Sequence, residues 1–146
     1  MSGTPAPWQR TISRAARRTG VTMGALVTID LVLGVAALIA VPYHRHTAVV
    51  PAHGRIIYLA HGVLGALIGL VAVAVIPRAR RMERVVWVGA VTGLVGVGVA
   101  AAGGMLAIVQ STRLVGMGLM LLGAVTAEAG YLMPLIDSVP HDQPPS

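Results

Sequence analysis

Residues Val85–Val109 read VVWVGAVTGLVGVGVAAAGGMLAIV, twenty-five positions without a charge. At 1.5 Å per residue a helix of that length extends about 37 Å, enough to cross a hydrocarbon core of about 30 Å. Within it Thr92, Gly96, Ala100 and Gly104 recur every four residues. Small residues at helical spacing are how helices approach one another where lipid removes the hydrophobic drive to associate. The stretch reads as a membrane span built to pack against other spans.

Three further runs share its character: Val21–Val41, Ile56–Ile76 and Leu114–Ile136. Gly65 and Gly69 give the second run a small-residue face, and Gly123, Ala127 and Gly130 do so for the fourth. Pro42 and Pro77 follow the first two runs and read as helix stops. Trp87, Tyr43, Tyr58 and Tyr131 fall near span ends, as interfacial anchors would. The first run follows several arginines in the manner of a signal peptide. Its length, and the want of a convincing small-x-small cleavage site ending it before Pro42, predict a retained span.

Composition agrees, since only 11% of the 146 residues are charged and 55% are hydrophobic. A soluble domain would carry roughly a quarter charged residues. Cys is absent, which excludes disulfides, thiolate metal sites and cysteine nucleophiles. All eleven basic residues are Arg, so lysine-based Schiff-base chemistry is excluded as well. The net charge of +6 hints at nucleic acid, but its distribution does not. The arginines mark the edges of apolar runs, where they set topology and meet anionic headgroups of the surrounding lipid.

Arg10, Arg14, Arg17 and Arg18 precede the first run, and Arg78, Arg80, Arg81 and Arg84 lie between the second and third. Only Arg45, Arg55 and Arg113 fall on the other side. Eight against three predicts both termini on the cytoplasmic side, and the expected location is a bacterial-type plasma (inner) membrane. The expectation is an all-α polytopic protein, a four-helix up-down-up-down transmembrane bundle over 21–136. A basic cytoplasmic tail, 1–20, would precede it, and a cytoplasmic tail without regular structure, 137–146, would follow.

Ionisable residues inside spans are costly and mark where function should be sought. Asp30 and Glu128 each lie roughly 12–14 Å from the cytoplasmic ends of the first and fourth spans, near the midplane. If neighbouring helices turned them toward each other, the two carboxyls would share a proton and form a proton or cation site. The plainer reading makes each a hydrogen-bonding link between helices, with Thr28 a candidate partner.

His61 lies about five residues below the outer end of the second span, on the face of Gly65 and Gly69. Met105 and Met117 sit at similar depth in the third and fourth spans, with Met120 one turn deeper. One His with nearby Met residues supplies haem axial ligands or a soft copper site, whereas Met alone is ordinary core filler. His44, His46 and His53 occupy the outer loop. His-x-His chelates copper or zinc, although loop histidines beside Arg45 and Tyr43 also serve simply as interfacial polar groups.

His61-Gly62-Val63-Leu64-Gly65, the turn Arg78-Ala79-Arg80-Arg81 and the third-span ending Ala102-Gly103-Gly104-Met105 together resemble small four-helix membrane proteins related to one half of a haem A synthase. The resemblance implies that His61 ligates haem. The chain departs from that pattern in the fourth span, which has no His; Met117 or Met120 is the nearest substitute, and Glu128 lies in the other half of the bilayer.

No complete catalytic constellation occurs, so the first expectation is a non-enzymatic accessory subunit of a larger membrane complex, respiratory in the first place. It would work beside other membrane subunits or further copies of itself, contacting haem, quinone or lipid near His61. The alternatives are a small proton-coupled transporter or channel using Asp30 and Glu128, and an outward-facing copper-binding protein. Haem ranks ahead of copper as cofactor.

Overall fold

The computed structural model describes residues 7–40, 54–108 and 110–136. They form α1 (Pro7–Ala40), α2 (Arg55–Ala79), α3 (Arg84–Ile108) and α4 (Arg113–Ile136), with one 3₁₀ turn, Gln110–Thr112, between the last two. Each helix contains a segment long and apolar enough to cross a membrane: Arg14–Ile39, Arg55–Ala79, Arg84–Ala107 and Arg113–Ile136. The described residues are all-helical, and the chain is a multi-pass membrane protein.

Two boundaries differ from the sequence expectation. Helix α1 begins at Pro7, well before the apolar run and inside the segment expected to be a tail. Proline suits the first helical position because its missing N–H would have no partner there, and the Ala- and Arg-rich stretch that follows is made of good helix formers. Helix α2 runs through Pro77 to Ala79 rather than stopping before it. The proline removes one donor near the end of the helix, and the turn closes on Arg80 N–H to Ile76 O at 3.1 Å and Met82 N–H to Ala79 O at 3.0 Å. At its other end α2 starts from Gly54 in the left-handed region, φ 86°, which glycine enters without a Cβ penalty.

Helices α3 and α4 lie backbone against backbone in antiparallel register. Gly89 faces Gly130, Gly96 faces Gly123 and Gly103 faces Gly116. A Cβ on Gly96 would sit 2.6 Å from the Gly123 carbonyl oxygen, and one on Gly116 equally close to that of Gly103. Gly93 and Ala100 flank the contact from α3, and Ala127 from α4. The seam therefore repeats every seven residues. The every-four stripe of Thr92, Gly96, Ala100 and Gly104 is not the contact line: a Cβ on Gly104 would meet only Met120 Sδ, at 3.8 Å. A four-residue step rotates about 40° around a helix and walks off the partner. A seven-residue step drifts only about 20°, which gentle supercoiling absorbs.

Helix α1 packs against both α4 and α2, and α2 also meets α3, so the helices close into a ring. Met23, Val27, Ile68, Ala72, Ala124, Ala127 and Tyr131 fill its centre. Tyr131 is 4% exposed with its ring end against Gly93, which makes it a core residue rather than the interfacial anchor its position near a span end implied. Long apolar side chains such as Ile56, Val63, Leu70, Val95 and Leu114 cover the outside. Such a surface suits hydrocarbon and not water.

Candidate functional site

Asp30 and Gly34 lie one turn apart on α1, and His61 and Gly65 one turn apart on α2. The antiparallel contact is reciprocal, each polar side chain lying over the glycine of the other helix. A Cβ on Gly34 would come within 3.0 Å of His61 Cε1, and one on Gly65 within 3.3 Å of Asp30 Oδ2. The two glycines make the room into which the imidazole and carboxylate fit.

His61 Nδ1 lies 2.9 Å from Asp30 Oδ1 and 3.1 Å from the Asp30 carbonyl oxygen. A backbone carbonyl can only accept, so Nδ1 carries the hydrogen and donates to both oxygens. In the neutral ring that leaves Nε2 with the lone pair. The pair is not sealed: the side chains are 22% and 17% exposed, at the flank of the bundle where α1 and α2 meet. An imidazole held through Nδ1 by a carboxylate, with the lone pair left on Nε2, is the arrangement found around many metal-bound histidines. It equally suits a group that passes a proton.

Glu128 reaches α1 from the other side. The Thr28 hydroxyl is shared between the Gly24 carbonyl, at 3.0 Å, and Glu128 Oε1, at 2.5 Å. Residues 28 and 30 point about 200° apart around a helix, so α1 offers one polar contact to α4 and a second to α2. Asp30 and Glu128 are thus engaged with His61 and Thr28, not with each other.

Met105 points outward and is 72% exposed, while Met117 is partly covered on α4. Equal depth placed them in one layer with His61, but rotation about the helix axes gives His61 its contacts on α1 instead. Among the described residues no three His, Asp or Glu side chains converge as metal ligands. His44, His46 and His53 lie outside the described residues.

Among the described residues a cavity and an open groove lie at the arginine end, and His61 lines neither. One, of about 70 Å³, opens among all four helices beside Thr19, Arg78, Tyr131 and Pro134. The Tyr131 hydroxyl is buried without a hydrogen-bond partner among the described residues, a feature that placing Tyr131 at the interface concealed.

The pairing of His61 with Asp30 does not follow from the depth of either residue in its span. Its signal was present: Asp30 with Gly34 and His61 with Gly65 are mirror-image spacings about the first loop. No known protein family, curated protein or solved structure matches this chain.

Proposed function

We propose that the protein is a small, non-enzymatic accessory subunit of a larger membrane complex, in the first place a respiratory one, with both termini on the cytoplasmic side of a bacterial-type plasma membrane. In this reading the His61–Asp30 pair is its point of contact with a redox group or lipid of that complex. The observation that carries it is the hydrogen bond from His61 Nδ1 to Asp30 at 2.9 Å, at a partly exposed flank of the bundle. A carboxylate-oriented imidazole at membrane depth is costly to keep, and the lone pair on its Nε2 suits a quinol hydroxyl, which can donate to it, or a haem iron. Among the described residues His61 is seated against Asp30 and Gly34 of α1 while Met105 points outward, so in this reading a haem would be shared with a neighbouring subunit.

The test is purification of the full chain from its own membranes in mild detergent, followed by an absorption spectrum, quinone extraction and identification of the retained subunits. A stoichiometric redox group or quinone, lost in His61→Ala while the bundle stays folded, is the expected result. A monodisperse protein with no partner subunit, no quinone and no Soret band overturns the proposal.

A second reading, proton-coupled transport, draws on a different observation. Glu128 meets Thr28 and His61 meets Asp30 on opposite flanks of α1, two residues apart, so α1 carries a polar contact to α4 and another to α2 at nearly the same depth. Under this reading Asp30→Asn and Glu128→Gln each abolish proton flux in vesicles. Flux unchanged in both would end it.

A further inference from the structure

The α2–α3 contact is the loosest glycine-bearing seam in the bundle. A Cβ on Gly69 would meet only Val97 Cγ1, at 3.9 Å, whereas the α3–α4 glycines leave no room for one. Toward the arginine end this seam opens into a groove lined by Val73, Ile76, Pro77, Arg80, Arg81 and Leu94. Val73 and Pro77 of α2, with Arg80 just past its end, follow one face, about 10 Å from first to last. The groove is therefore apolar along its length and doubly cationic at its foot.

We propose that this groove binds a phospholipid with an anionic headgroup, its phosphate at Arg80 and Arg81 and an acyl chain along Val73, Ile76 and Leu94. Among the described residues neither guanidinium is paired with a carboxylate. Both lie just beyond the apolar span, at the level where lipid phosphates sit. Guanidinium presents several donors to phosphate oxygens in a fixed fork, and the apolar walls accept a chain that a free anion lacks. Charge complementarity at the foot and hydrocarbon along the walls together select a lipid rather than a soluble anion.

The full chain in phosphatidylcholine vesicles containing a small fraction of spin-labelled phosphatidylglycerol provides the test, read as the motionally restricted fraction of the label. Wild type should hold spin-labelled phosphatidylglycerol in preference to spin-labelled phosphatidylcholine. Arg80→Gln with Arg81→Gln should weaken that preference roughly five- to thirtyfold, corresponding to one or two guanidinium contacts. Val73→Trp, which fills the groove without changing charge, should release the lipid as well. Arg17→Gln with Arg18→Gln, which removes the same charge from α1 at the same end, should not. Equal loss from the α1 pair would show diffuse attraction instead of a site. Retention in Val73→Trp, or displacement of the label by inorganic phosphate, would also overturn the proposal.

Discussion

His61 gives the single hydrogen on Nδ1 to two oxygens of one residue, the carboxylate and the carbonyl of Asp30, at 2.9 and 3.1 Å. That contact ties α1 to α2 through side chain and backbone together. Because the carbonyl can only accept, it also selects which imidazole nitrogen keeps the lone pair. The energetic and functional consequences of this pair can be separated.

Asp30→Ala and His61→Ala should each destabilise the bundle by about 1 kcal/mol, within the range of interhelical hydrogen bonds in membranes. The double variant should cost little more than either alone. Reversible unfolding in mixed detergent–denaturant micelles measures the coupling, and strict additivity would show that the bond contributes nothing.

Gly34→Ala puts a methyl group 3.0 Å from His61 Cε1 and pushes the ring off Asp30. The imidazole ¹⁵N resonances should move, and stability should fall by about 1 kcal/mol, in the range of mild overpacking. Gly62→Ala on α2 has no atom within 4 Å of the added group. It should change neither observable beyond about 0.5 kcal/mol.

Gly96→Ala should be the most damaging small substitution in α3. Its methyl meets the Gly123 carbonyl and the Ala127 backbone, which no rotamer change can move aside. Separating the helices should cost about 2–3 kcal/mol. Gly98→Ala, two residues on and unobstructed, should be neutral or slightly stabilising through its higher helix propensity. Equal melting temperatures for the two variants would refute the seven-residue register.

Tyr131→Phe removes a buried hydroxyl that has no partner among the described residues. It should preserve stability or raise it by up to about 1 kcal/mol, because an unsatisfied buried donor is itself a cost. A clear loss of stability would reveal a hydrogen bond to that hydroxyl.

Glu128→Gln keeps a group able to hydrogen-bond Thr28, and Glu128→Leu does not. If the contact only joins α1 to α4, thermal denaturation should find Gln within about 0.5 kcal/mol of wild type and Leu destabilised by about 1 kcal/mol. Proton flux measured on the same Gln variant then separates a structural link from a transport role.

The four spans, their lengths and their small-residue character are legible in the sequence because each depends on a local run of residues and the bilayer thickness. Asp30, His61 and Glu128 stand out for the same reason, as ionisable side chains inside apolar segments. The arginine count ranks the two ends of the bundle just as directly. Which residues meet is a different kind of fact. Depth follows from counting along one chain, but partnership depends on how each helix is rotated about its own axis, and that is decided by backbones closing wherever side chains are smallest. Gly89, Gly96 and Gly103 lock α3 onto α4, so Tyr131 turns inward and Met105 outward. With α1 between α2 and α4, Asp30 goes to His61 and Glu128 to Thr28. Sequence alone determined that a few costly polar groups lie within a membrane; only close packing, which rewards the approach of helices at glycine, decided how they are paired.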